Sequence, residues 1–525
     1  MTGTKIKTAP EAAAMVKDGA TIAVSSSSGL GCPDAVLAAL GARFAAEGHP
    51  RGLTSVHPIA AGDMFGIKGV DHLAQDGMLA RIIGGSYPSG PTNAAPPLIW
   101  QLILSEAVAA WNVPSGILFD MLREGAGLRP GVLTKVGMDT FADPAQDGCA
   151  MNATARAQPL VRRVEFDGED WLYFPAIRPD VAVIRATTAD ENGNLTYEHE
   201  GATLGAMEIA LAARNSGGLV IAQVKRVAQS GSLRPHDVRV PGILVDVIVE
   251  APDQLQTTAT AYDPAISGEV FRPLSSFQLP EFGVSKLIAR RVAQELRDGW
   301  AVNIGFGISA NVPRILIEEG QHGKVTWVIE QGAVGGVPLL DFKFGCASNA
   351  EAFVASPHQF SYFQAGRFDC ALLSFLEIDA EGSVNVSRLS ATPHRTAGAG
   401  GFVDITARAR KIVFSGNFNA GAKMRITNGQ LVIETEGRVA KIVPKVDQIS
   451  FSGRRGRAQG QHVTYVTERC VIRLEDDGLV ITEVAAGLDL QRDILDRATT
   501  PLRVAPNLKV MDAALFHPAK IGLML

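Results

Sequence analysis

Two distant stretches of this chain are built alike. Asp18-Gly19-Ala20-Thr21-Ile22-Ala23-Val24 runs into a small-residue loop at residues 25–31, and Pro33 then opens an apolar-periodic segment. Asp298-Gly299-Trp300-Ala301-Val302-Asn303-Ile304 runs likewise into Gly305-Phe306-Gly307 and on to Pro313, at the same interval from aspartate to proline. A short apolar, β-rich run bounded by turn residues predicts a buried strand, and a first-turn proline predicts a helix start. The echo recurs twice. Residues 180–184, followed by Asp190-Glu191-Asn192-Gly193, parallel residues 369–373, followed by Asp379-Ala380-Glu381-Gly382; residues 218–222 parallel residues 411–415. Three matches in one order predict a duplicated unit rather than a short-period solenoid. Strands alternate with helices, so the expected class is α/β: two tandem similar open domains with mainly parallel sheets covered on both faces. Short strands at residues 429–432, 462–466, 471–474 and 479–482 predict an antiparallel addition near the C-terminus, followed by a helix at 489–497 and an extended 501–508. The Pro/Ser/Phe-rich residues 264–280 predict the seam, dividing the chain into 1–275 and 276–525.

At 525 residues the chain exceeds a single core. A net charge of -5 without a polybasic run argues against nucleic acid and against a membrane surface. The N-terminus lacks an apolar signal region, and no apolar run reaches the length of a membrane span. Five cysteines without CxxC spacing and isolated histidines predict neither a disulfide framework nor a metal site. The expectation is a cytoplasmic protein with reduced thiols.

The chemistry centres on residues 325–338, where an apolar run ends on Glu330-Gln331-Gly332 and continues to Gly335-Gly336. Reactive groups in open α/β sheets sit at the carboxyl ends of strands. A glutamate there serves as nucleophile or general base, or it only caps a helix or pairs with an arginine. Gly305-Phe306-Gly307 lacks the third glycine of a dinucleotide loop, and neither a P-loop nor a Gly-x-Ser-x-Gly elbow occurs. Gly398-Ala399-Gly400-Gly401-Phe402-Val403-Asp404 either aims backbone N–H groups at an oxyanion or makes a tight turn. Arg454-Arg455-Gly456-Arg457, read as a loop, either holds phosphates or is a solvated turn. The serines at 25–28 line a polar pocket or form a solvent-bonded turn.

This ordered set resembles the class I CoA-transferases, most closely the fused single-chain acetate/propionate type. The resemblance rests on residues 329–332 with Gly335-Gly336, Gly305-Phe306-Gly307, residues 133–144, 400–404 and 463–469, and the tail 489–516, and it spans residues 9–516. It implies the CoA-transferase (NagB/RpiA-like) fold in both halves and a homo-oligomer. Its implied activity is CoA transfer between an acyl-CoA and a short-chain carboxylic acid, with CoA as substrate and no cofactor. The matching positions imply Glu330 as the nucleophile that forms an acyl-glutamyl anhydride and then a glutamyl-CoA thioester. Gly400 and Gly401 are the implied oxyanion region, and Gly305, Phe306, Gly307, Ile308 and Ser309 the CoA-contacting loop.

Three departures bear on the acyl pocket. Serines 25–28, Ser27 and Ser28 above all, replace a glycine and an aromatic. Ser115 stands where the family has glutamine, and residues 307–309 lack a proline. Ser27 or Ser28, and Ser115, are expected near Glu330, which should itself be ionised and outside a purely apolar pocket. An acyl-CoA hydrolase on the same scaffold and a non-catalytic CoA-binding regulator are the rival readings.

Overall fold

The computed structural model describes residues 4–63, 66–88, 96–258 and 260–525; residues 1–3, at the start of the stretch read for a signal sequence, lie outside it. Two large sheets hold the molecule together. The first contains β1 (Ile6–Lys7), β2 (Thr21–Val24), β3 (Leu53–His57), β4 (Leu79–Gly84), β5 (Ala109–Asn112), β6 (Val181–Asp190), β7 (Leu219–Ala228) and β8 (Val247–Glu250). Their order is β1-β8-β7-β6-β2-β3-β4-β5, parallel throughout. The second contains β9 (Trp300–Ile304), β10 (Val325–Val328), β11 (Cys370–Ser374), β12 (Lys411–Ser415), β13 (His462–Val466), β14 (Cys470–Glu475), β15 (Gly478–Val484) and β16 (Arg503–Val510). Here β10-β9-β11-β12-β13 is parallel, and β14 and β15 extend it as an antiparallel meander.

The echo in sequence is an echo in register. Ile22 lies opposite Val181 in the first sheet, and Val302 lies opposite Cys370 in the second. Asp180 Oδ2 accepts the Thr21 N–H at 2.8 Å, and Asp369 Oδ2 accepts the Ala301 N–H at 2.9 Å, so the same bond sets the first rung of each sheet. Past the strand, Asp190 Oδ1 accepts from the N–H groups of Asn192 and Asn194, as Asp379 Oδ1 does from Glu381 and Ser383. One alignment shifts. Val181 faces Leu219 while Cys370 faces Lys411, so Lys411 is the counterpart of Leu219, one residue from the match by apolar pattern. Continuous apolar runs look alike when slid by one position; only the ladder fixes their register.

Both sheets are covered on both faces. Ile22, Val24 and Val183 join one core while Ala23, Ala182 and Ile184 join another; Cys370 and Leu372 are likewise separated from Ala371 and Leu373. The expected terminal helix shrinks to Leu490–Asp493 and a 3-10 turn, Leu495–Arg497, because Ile494 leaves helical geometry to bury its side chain. The strand near residue 430, Gln430–Thr435, pairs with Lys423–Thr427 in a hairpin that the sequence pattern did not reveal.

Candidate active site

Glu330 lies two residues beyond the last rung of β10. Ile329 N–H donates to Ala333 O at 3.0 Å and Gly332 N–H to Ile329 O at 2.9 Å, so the chain reverses tightly around Glu330 and Gln331. Gly332 has φ +131, and a Cβ there would lie 2.0 Å from Val354 O. Only glycine fits this turn. In the first sheet the same register puts Pro58 at the position of Glu330, since Val56 pairs with Ala23 as Val328 pairs with Asn303.

Two donors hold the carboxylate. Gln331 Nε2 reaches Glu330 Oε1 at 3.1 Å, and the backbone N–H of Gly401 donates from the facing loop. Glu330 is half-buried, yet desolvation by the surrounding protein pushes its carboxyl up to about 7, against the opposing pull of Gln331 and Gly401. The expectation of a carboxylate kept ionised by its donors is therefore corrected: burial outweighs two hydrogen bonds, and the group stands at the edge of ionisation near neutrality.

The glycine loop carrying Gly401 hangs from the first half. Tyr87 N–H donates to Ala397 O at 2.7 Å, Gly400 N–H to Gly85 O at 2.9 Å, and Ser115 N–H to Gly400 O at 2.9 Å. Asn112, at the end of β5, accepts the Ala399 N–H at 2.8 Å and donates to Gly84 O and Gly85 O at 3.2 and 2.6 Å. Behind the loop, α3 (Phe402–Thr406) presents Asp404, fully buried, to α1 (Ser115–Ala126) and α2 (Ser356–Gln364). Its carboxylate accepts from Gly116 N–H at 2.9 Å and Gln364 Nε2 at 3.0 Å. Burial, with the charges of Asp120 and Glu330 added, pushes the Asp404 carboxyl up to about 7. The rings of Phe119 and Phe360, 5.9 Å apart, continue this contact between the halves.

The expected site residues fall into distinct settings. Gly401 faces Glu330, whereas the backbone N–H and C=O of Gly400 are both engaged by the first half. Ser27 is buried and its Oγ accepts Gln331 Nε2 at 3.2 Å, which ties it to Glu330 through one amide. Ser28 is exposed, with φ 52, and its backbone bonds to Ala60 and Gly62. Ser115 is buried beside Gly85, and its Oγ has no partner among the described residues. Gly305 N–H donates to Leu372 O, and Gly307, at φ +112, packs against Ser374. Ile308 is half-buried, and Ser309 turns inward with its Oγ 2.6 Å from Ser415 Oγ. Phe306 is 64% exposed, its ring edge-on to Phe344 with centroids 5.4 Å apart.

The arginine cluster is not a loop. Gly453–Ala458 is a helix capped by Ser452; Arg454 and Arg455 face Asp139, and Arg457 pairs with Glu381. Asn112, Gln331 and Asp404 were given no role from the sequence, although Gln331 and Asp404 lie inside the motifs at 329–332 and 400–404. Asn112 carried a signal as a polar residue closing an apolar strand two positions before a proline. Among the described residues no cluster of three or more His, Cys, Asp or Glu side chains is placed to hold a metal, and no helix is long and apolar enough to cross a membrane.

The family model for coenzyme A transferase matches residues 6–251. The caffeate CoA-transferase of Acetobacterium woodii is 38% identical over 528 residues, covering 99% of this chain and 98% of that protein. The acetate CoA-transferase YdiF of Escherichia coli (strain K12) is 36% identical over 524 residues, covering 99% and 96%. The crystal structure of the E. coli O157:H7 acyl-CoA transferase YdiF, a thioester complex with CoA, matches with a TM-score of 0.90 at 35% identity, covering 99% of this chain and 98% of that one.

Proposed function

The chain belongs to the coenzyme A transferase family in its fused, single-chain form and is a CoA-transferase, and on that footing we propose that Glu330 is the group that carries CoA between an acyl-CoA and a carboxylic acid. A Glu330 carboxylate oxygen attacks the thioester carbonyl; the C–S bond breaks, CoA leaves as thiolate, and an acyl-glutamyl anhydride remains. The thiolate then attacks the glutamyl carbonyl, releasing the first acid and forming glutamyl-CoA. The incoming acid repeats the two steps in reverse. No thioester bond energy is lost to water, so no nucleotide triphosphate is required.

The observation that carries this reading is the setting of Glu330. It is a strand-end carboxylate, poised near neutrality by burial, with the Gly401 N–H and the Gln331 amide directed at its oxygens. Those donors stabilise the oxyanion that develops when the glutamyl carbonyl is attacked. Partial burial of Glu330 limits the access of water to both acyl intermediates. Residues 305–309, at the adjacent strand end, are assigned to the CoA chain, with exposed Phe306 at the entrance. Residues 1–275 and 276–525 are read as the two units, and the protein as a cytoplasmic homo-oligomer. The acid is read as short and linear; full-length relatives named for acetate and for caffeate make a panel of acetate, propionate and an aryl-propenoate the deciding comparison.

Incubation with acyl-CoA alone tests the nucleophile. The protein should gain the mass of CoA less one water on the peptide containing Glu330, and Glu330→Gln should abolish the gain while CoA still binds. Full transfer activity in Glu330→Ala would overturn the assignment.

A further inference from the structure

We propose that the side-chain oxygen of Gln331 accepts a hydrogen bond from the amide N–H of CoA nearest its sulfur, anchoring the pantetheine arm beside the reacting carbonyl. The inference rests on the reading of Glu330 as the residue that becomes thioesterified.

Gln331 is 3% exposed, and its two amide atoms have opposite fates. Nε2 is shared between Glu330 Oε1 at 3.1 Å and Ser27 Oγ at 3.2 Å. Oε1 is buried and has no donor among the described residues. Reversing the amide would place its oxygen against the Glu330 carboxylate and forfeit the bond to it, so the orientation is dictated by charge. A buried amide oxygen without a donor costs free energy in the resting protein. A ligand that brings a donor recovers that cost, and so such an atom selects for one.

The position of Oε1 says where the donor comes from. A Cβ on Gly345 would lie 3.2 Å from it, so Oε1 faces the turn at residues 341–345. The neighbouring Phe344 packs on Phe306 of the loop assigned to CoA. Gly345 itself has φ +98 and would press a side chain to within 2.9 Å of Gln331 Cγ and Cδ. Lacking one, Gly345 covers the amide with backbone alone.

The spacing then names the donor. In glutamyl-CoA the carbonyl carbon is followed by sulfur, two methylenes and an amide N–H, a span of roughly 5 Å by standard bond lengths. From the Glu330 carboxylate, the 3.1 Å bond to Gln331 Nε2 plus the width of one amide places Oε1 no farther than about 5 Å away, so that N–H can come within hydrogen-bond reach of it. Every acyl-CoA carries this N–H, whatever its acid. The contact would therefore hold the sulfur in place through both halves of the exchange and leave acid choice to other residues.

The test is formation of the glutamyl-CoA adduct without acceptor acid, followed by mass and rate. Three donors are compared: the acyl-CoA, an analogue with the amide N–H nearest sulfur replaced by an ester oxygen, and one altered likewise at the distal amide. The near-sulfur analogue should react at least tenfold more slowly, and the distal one at the parent rate. Gln331→Met should lose the distinction between the parent and the near-sulfur analogue. Gln331→Glu, which keeps an acceptor in place, should preserve it and serves if the methionine variant does not fold. Equal rates for the two analogues in the wild type, discrimination surviving in folded Gln331→Met, or its loss in folded Gln331→Glu would each overturn the proposal. Absence of any adduct on Glu330 with the parent donor would instead strike the assignment of the nucleophile.

Discussion

Gly401 approaches Glu330 so closely that a methyl group at its α-carbon would lie 2.2 Å from Glu330 Oε2 and 2.5 Å from the Phe360 ring. Phe360 is buried in the core and cannot retreat without leaving its own packing. Gly401→Ala should lower kcat by about a hundredfold or more, the scale of losing one oxyanion donor. CoA affinity, measured by calorimetry, should change little, and unfolding free energy should fall by about 1–3 kcal/mol, as overpacking does. Unimpaired turnover in Gly401→Ala would remove this loop from the chemistry.

The pH dependence follows from Glu330. Only the carboxylate attacks, so the rate of adduct formation should rise with pH and level off above about 7. Stability runs the other way. A carboxyl raised in the folded state from its ordinary 4.5 to about 7 stabilises the fold fully below 4.5, and that contribution is lost as pH rises through 7. Glu330→Gln should therefore gain about 3 kcal/mol in denaturant unfolding at pH 8 and almost nothing near pH 4.5. A flat difference across that range would show that the carboxyl is not desolvated.

Asn112 should matter as much as a residue at the chemistry, although it touches only backbone. Asn112→Ala strands the buried Ala399 N–H and releases Gly84 O and Gly85 O. The expected cost is about 2 kcal/mol of stability. Loosening of the glycine loop should appear as a kcat reduced by about tenfold, with the substrate KM nearly unchanged.

At Ser115 the hydroxyl contributes no side-chain bond among the described residues, and the site is closed by Gly85. Ser115→Ala should leave stability within about 0.5 kcal/mol of wild type. Ser115→Gln, which restores the family's residue, should cost about 1–3 kcal/mol because the site is already filled. A shift in the acid profile of the glutamine variant, at full stability, would contradict this packing.

The duplicated fold was legible because each copy repeats the same short program: Asp-Gly turn, apolar strand, small-residue loop, helix-starting proline. Glu330 was legible as a carboxylate closing a strand before glycines. Gly401 was legible too, as a backbone donor in a glycine run; the side chains that hold its loop were not, for a physical reason. Asn112 and Asp404 act through contacts formed only when the strand ends of one half meet a loop of the other, and no local periodicity encodes that encounter. The arginines at 454–457 misled for the converse reason. Their charges read as free in sequence, yet Asp139 and Glu381 arrive from distant segments to face them. The raised carboxyl of Glu330 belongs to the same class, since burial is a sum over neighbours that the chain order conceals.

The register that pairs the two sheets also sets a count. Where the second sheet offers Glu330, the first offers Pro58, a residue with neither a carboxylate nor an N–H to give. Doubling of the scaffold has thus not doubled the chemistry. Saturating acyl-CoA should load each polypeptide with one equivalent of covalent CoA and never two.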